Sequence, residues 1–97
     1  MIPRLSKIEY QVLDLLRSGV EMYGLELVKA SNGALKRGTI YVTLNRMVEK
    51  GYLTSRAEDE PSEPGLPRRR YRVSGHGARV LSATDTASAA FEGGSYA

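Results

Sequence analysis

Residues 38–57 read GTIYVTLNRMVEKGYLTSRA. Ile40, Leu44, Met47 and Val48 stand at i, i+4, i+7 and i+8, which places them on one side of an α-helix. Thr39, Tyr41, Val42, Thr43, Asn45, Arg46 and Lys50 fall on the opposite side. The spacing predicts a helix from about Gly38 to Lys50, with one apolar face for a core and one face of hydrogen-bonding and cationic groups. Gly51 supplies a C-terminal cap, and Tyr52 to Ala57 reads as a strand that leaves the helix directly.

Downstream, residues 58–67 read EDEPSEPGLP. The prolines and acids of this segment exclude a central strand and make it a loop. Arg69-Arg70-Tyr71-Arg72-Val73 then alternates, with Tyr71 and Val73 on one side. The two strands predict a hairpin with a long acidic tip. Ser74 is placed as the N-cap of a last helix from about Gly75 to Phe91, which Gly93-Gly94 should end.

Upstream, Ser6 and Glu9 have the spacing of a capping box, with Leu5 and Tyr10 placed as a hydrophobic staple. Ile8, Val12, Leu15 and Leu16, with Leu5 and Leu13, form the apolar stripe of a first helix that stops at Gly19. A second helix is expected from about Tyr23 to Ala30, with Leu25, Leu27 and Val28 inward and Asn32-Gly33 as its stop. The order is helix, helix, helix, strand, strand, helix. That is a mainly α chain with a small β-hairpin, a winged helix-turn-helix. Residues 1–74 are expected to form the DNA-binding domain, residues 75–92 a dimerisation helix and residues 93–97 a frayed tail.

The chain of 97 residues has the length of one small domain, and a domain of that size gains from burying more surface in a dimer. It contains no cysteine and one histidine, His76. Disulfides and thiolate zinc sites are therefore excluded, and neither a metal site, a cofactor site nor a Ser-His-Asp triad can be assembled from what is present. No nucleophile elbow and no phosphate-binding loop of the Walker type occurs. These absences argue against an enzyme. No apolar run is long enough for a membrane span, and the N-terminus lacks the pattern of a signal peptide, so a cytoplasmic protein is expected.

The net charge is +3 and the isoelectric point about 9.4. The cations are clustered. Lys36, Arg37, Arg46, Lys50 and Arg56 flank the third helix, and Arg68, Arg69, Arg70 and Arg72 follow the acidic block Glu58, Asp59, Glu60 and Glu63. Basic clusters are the electrostatic footprint of a nucleic-acid binder. In a winged helix the third helix enters the major groove. There Arg46 can pair with guanine, Asn45 with adenine and Val42 with a thymine methyl, while Thr39 and the first-turn amides can meet phosphate. Lys36 and Arg37 would lie beside the backbone. The opposing reading of the arginine run is a charged strand edge that blocks sheet extension. Of the six tyrosines, Tyr10, Tyr23, Tyr52 and Tyr71 suit the core, and Tyr41 is left open.

Tyr23-Gly24-Leu25-Glu26-Leu27, Gly38-Thr39-Ile40-Tyr41, Glu49-Lys50-Gly51-Tyr52-Leu53 and Gly65-Leu66-Pro67-Arg68-Arg69-Arg70-Tyr71-Arg72-Val73-Ser74 occur in this order. Together they resemble the PadR-type regulators, the phenolic acid decarboxylase repressor family, over roughly Leu5 to Leu81. The resemblance implies a bacterial or archaeal winged-helix transcription factor, a repressor acting as a homodimer on a palindromic operator. It places Gly38, Thr39 and Tyr41 on the DNA side and Arg68, Arg69 and Arg70 on the wing. Two features depart from the family pattern. The acidic segment before Gly65 should be repelled by phosphate, and the region after the wing is short. Dimerisation is then expected to rest on Leu5, Ile8 and Val12 with Ala78, Leu81, Ala89, Ala90 and Phe91. A small-molecule effector stays open, with no pocket assignable. The alternative is a winged-helix adaptor that binds protein and not DNA.

Overall fold

The computed structural model describes residues 4–58 and 68–95, with side chains as far as Ser88. Its elements are α1 (Lys7–Leu16), β1 (Met22–Tyr23), α2 (Gly24–Ala30), α3 (Ile40–Glu49), β2 (Leu53–Ala57), β3 (Arg69–Val73) and α4 (Gly75–Ser95). The acids Asp59, Glu60 and Glu63 lie outside the described residues.

The capping box forms as its spacing requires. The Ser6 hydroxyl accepts from the Glu9 amide at 3.1 Å, and the Glu9 carboxylate accepts from the Ser6 amide at 2.9 Å. Gly19 and Gly51 adopt φ of +91° and +80° just beyond α1 and α3, a backbone region closed to most other residues, so both helices stop there. Ser74 caps α4, its hydroxyl accepting from the Gly77 amide at 2.9 Å.

The core is continuous. Val12, Leu13 and Leu16 of α1, Leu27 of α2, and Ile40, Leu44 and Met47 of α3 meet Tyr52, Leu53 and Tyr71 of the sheet region and Val80 and Leu81 of α4. Leu35, in the connection before α3, belongs to the same cluster, and its amide donates to the Ser31 hydroxyl at 2.9 Å.

Several expectations are corrected. The hairpin is part of a three-stranded antiparallel sheet of order β1-β3-β2, with Met22 opposite Tyr71 and Tyr23 opposite Arg70. Tyr23 is therefore a strand residue, and α2 begins at Gly24. Leu25 points outward, 46% exposed, because Leu27 and the half-buried Val28 already supply the inward face of this short helix. The third helix starts at Ile40, two residues later than its apolar spacing suggested. Gly38 and Thr39 lie in a turn in which the Lys36 carbonyl accepts from the amides of Thr39 and Ile40. α4 runs through Gly93 and Gly94 to Ser95 instead of ending before them. Glycine weakens a helix interior by about 1 kcal/mol without forcing it to stop.

Candidate nucleic-acid interface

α3 is split as its sequence requires. Ile40, Leu44 and Met47 are fully buried, while Thr39, Tyr41, Val42, Asn45 and Arg46 are exposed and Thr43 is half-buried. Lys36 and Arg37 are exposed ahead of the helix. Val42 is 55% exposed, an apolar group left in water on an otherwise polar face. Among the described residues Lys36, Arg37 and Arg46 make no ion pair, so their charge is available to an anionic partner.

Lys50, at the end of α3, is placed differently. Its ammonium lies 2.6 Å from the Glu9 carboxylate of α1. Glu9 is 93% buried as a side result of α1 packing over α3, with only 7% of its surface exposed. Burial alone would raise its carboxyl, but the Lys50 and Ser6 hydrogen bonds outweigh that effect and hold it below its ordinary value. Lys50 is correspondingly raised by its hydrogen bond to Glu9. Sequence reading treated Glu9 as a cap only, and the second role depends on a partner 41 positions away.

The wing separates its arginines by strand alternation. Arg69 shares the face of Tyr71, the face packed on the helices, and its guanidinium meets the Ser55 hydroxyl at 3.1 Å. Arg70 and Arg72 lie on the opposite face. There Arg70 donates to the Tyr23 hydroxyl at 3.0 Å and to Glu58 at 3.2 Å, and the Tyr23 hydroxyl donates to Glu58 at 2.6 Å. Arg68 and Arg70 both lie over the Tyr23 ring, at 5.3 and 5.1 Å from its centroid. Arg56 pairs with Glu21 at 2.7 Å. The hydrogen bond from Tyr23, with help from Arg70, lowers the Glu58 carboxyl, and the one from Arg56 lowers that of Glu21. Glu58 was expected to belong to a repulsive acidic tip. It instead folds back on the stem, because Tyr23 and Arg70 offer it donors. Glu58 Oε2 and Arg70 Nε are buried there without hydrogen-bond partners among the described residues.

On the side formed by α1 and α4, the Tyr10 hydroxyl donates to Asp85, and Arg17 bridges Asp85 at 3.1 Å and Asp14 at 2.8 Å. A shallow groove of about 280 Å³ lies beside this cluster, lined by Val73, Ala78, Leu81, Ser82 and Thr86 with Arg17 and Asp85. That is below the usual range of ligand pockets, ~300–1,000 Å³. Of the residues expected at a dimer interface, Val12 and Leu81 are used up in the core of the protomer. Leu5 is half-buried, Ile8 and Ala78 are exposed, and the side chains of Ala89, Ala90 and Phe91 lie outside the described residues. Beyond Asp85, Thr86, Ala87 and Ser88 are exposed as α4 leaves the body. Among the described residues no cluster of potential metal ligands occurs, and no helix is long and apolar enough to cross a membrane.

Three helices closed by a wing, with a half-buried third helix offering free cations, define a winged helix-turn-helix protein. Within that class the chain belongs to the transcriptional regulator PadR-like family, which it matches over residues 12–83. It is similar to a PadR family transcription regulator from Clostridium difficile, at 24% identity over 90% of this chain and 92% of that one, with a TM-score of 0.75. A PadR family transcriptional regulator from Eggerthella lenta is 30% identical, over 90% of this chain and 76% of that one, with a TM-score of 0.72. Bacillus subtilis PadR, solved in complex with operator DNA, is 23% identical over 80% of this chain and 47% of that one, with a TM-score of 0.70. A comparison with curated proteins gave no match.

Proposed function

We propose that this protein is a sequence-specific double-stranded DNA-binding regulator, a repressor that occupies a palindromic operator as a homodimer. The observation that carries the reading is the division of α3. One face is locked into the core by Ile40, Leu44 and Met47, and the other offers Thr39, Tyr41, Val42, Thr43, Asn45 and Arg46 to a groove. A helix anchored in this way presents base-reading groups in a fixed register. Lys36 and Arg37 before the helix, with Arg69 on the adjoining face of the wing, are suited to the phosphate backbone. The likeness in fold to a PadR solved in complex with operator DNA supports DNA as the partner. Ile8 of α1 and Leu5 just before it, with the exposed Thr86, Ala87 and Ser88 of α4, support a two-fold partner. Two copies would set their third helices about one helical turn apart, ~34 Å. The reading leaves catalysis no role.

Selection from a random-sequence duplex pool at two salt concentrations, with Arg46→Ala alongside, tests this reading. An inverted repeat enriched by the unaltered protein and lost in the variant is the expected result. Binding that enriches no sequence and vanishes by ~0.2 M salt would leave only the phosphate contribution. The adaptor reading would then take its place.

A further inference from the structure

We infer that Gly24 is a positioning residue for DNA recognition: it is the seat on which the Tyr41 ring of α3 is held. The inference rests on the reading of α3 as the helix that enters the groove. A Cβ added to Gly24 would fall 2.8 Å from Tyr41 Cε1, 3.1 Å from Cζ and 3.3 Å from the hydroxyl oxygen. The ring therefore occupies the volume that any other residue at position 24 would need. Gly24 is buried although Tyr41 is about half exposed, at 48%. One side of the ring covers the glycine, and the rest faces outward beside Val42 and Asn45.

Backbone conformation does not explain the glycine. Gly24 is not among the glycines with positive φ, and it stands at the first position of a helix, where alanine is the better helix former. Of the atoms it meets, the three nearest belong to the far end of one side chain. Alanine there would move the Tyr41 ring and leave the backbone in place. The Tyr41 hydroxyl makes no hydrogen bond among the described residues, so it is available to a phosphate or a base edge. Seating the ring fixes that hydroxyl before DNA arrives and spares complex formation the ordering of a rotatable side chain. Two sequence motifs thereby acquire one purpose. The glycine of Tyr23-Gly24 is the surface against which the tyrosine of Gly38-Thr39-Ile40-Tyr41 is aimed.

A double-mutant cycle tests this. Affinities are measured at fixed salt for a duplex enriched from the random pool, using the unaltered protein, Gly24→Ala, Tyr41→Ala and the double variant. Gly24→Ala and Tyr41→Ala are each expected to bind roughly three- to tenfold more weakly, the scale of one hydrogen bond. The double variant is expected to match Tyr41→Ala within about twofold, because no ring remains to be displaced. Unchanged binding by Gly24→Ala, or losses that multiply in the double variant, would overturn the inference. A merely structural role for Gly24 would persist in the Tyr41→Ala background, in affinity and in melting temperature alike. If Gly24→Ala alone melts early, the Tyr41→Ala background decides. A folded double variant that binds like Tyr41→Ala supports the inference, and one that binds worse sinks it. An unaltered protein that enriches no sequence removes the proposed function and this inference together, whereas specific binding with multiplicative losses removes the inference alone.

Discussion

The two basic regions of the molecule use their cations in opposite ways. Around α3, Lys36, Arg37 and Arg46 stand exposed with no ion pair among the described residues. On the sheet, Arg56 is held by Glu21 and Arg70 by Glu58 and Tyr23, whereas Arg69 meets only the neutral Ser55 hydroxyl. A cation already satisfied by its own chain must give up that partner before it can serve a phosphate, and a free cation need not. The count of arginines in a run is therefore a poor guide to DNA contact. The wing looks more basic in sequence, yet α3 carries the charge that is ready to act. Strand alternation sharpens the point, since it places neighbouring Arg69 and Arg70 on opposite faces of one strand.

The largest expected effect lies at the base of the wing. A Cβ on Gly77 would come within 2.0 Å of the Tyr52 carbonyl oxygen, and the obstacle is backbone that cannot swing aside. The Ser74 amide also bonds to that carbonyl, at 3.0 Å. Gly77→Ala should lower unfolding free energy by ~3 kcal/mol, the upper part of the range for overpacking, as read in urea denaturation. A stable Gly77→Ala variant would show that the wing is not fastened to the body at this point.

Next is the contrast at α3. Arg46→Ala should weaken binding to the enriched duplex by ~5- to 150-fold, the worth of a good bidentate base contact. Its melting temperature should not change, because the side chain is exposed and supports nothing. A variant that loses stability and affinity together would place Arg46 with the committed arginines instead.

Smaller effects separate the two faces of the wing. Arg69→Ala should reduce the slope of log affinity against log salt by ~0.9, the share of one phosphate contact. Arg70→Ala should leave that slope unchanged, and its loss should appear as earlier thermal melting. Equal slope changes in the two variants would dissolve the distinction between the faces.

The difference between what was legible and what was not follows the same line. Periodicity and caps are local, and they announced the helices: the Ser6–Glu9 box forms, and Ile40, Leu44 and Met47 are buried as spaced. β1 escaped because two residues carry no period, and its pairing with β3 joins distant positions. Leu35 escaped because it lies in a connection without a pattern, and Leu25 misled because a short helix has room for few inward residues. On the candidate site, the polar face of α3 could be read directly. The partners of Lys50, Arg56 and Arg70 could not, since Glu9, Glu21 and Tyr23 meet them only through tertiary packing. Charge is visible in a sequence, but whether it is spent is visible only in the fold.

Lys50 is the exception within α3 and gives the finest test of the comparison. It belongs to the third helix by position and to the committed cations by contact, with Glu9 as its partner. Because the folded state holds the Glu9 carboxyl below its ordinary value of 4.5, its contribution to stability is complete above that value. It fades as pH falls through the lower folded value, where the carboxylate takes up a proton. Glu9→Gln keeps the shape and removes the charge. At pH 7 the variant should be less stable by about 1 kcal/mol or less, a shift of a few degrees in melting temperature for a domain of this size. The gap should narrow below pH 4.5 and close once the pH has fallen through the lowered folded value, because the unaltered protein then loses the same charge. Glu58, Asp85 and Glu21 are lowered by their own partners and remain in both proteins, so both melt earlier in acid while the difference between them disappears. The absence of a gap at every pH would mean that Glu9 acts by shape alone and that Lys50 is as free as Arg46.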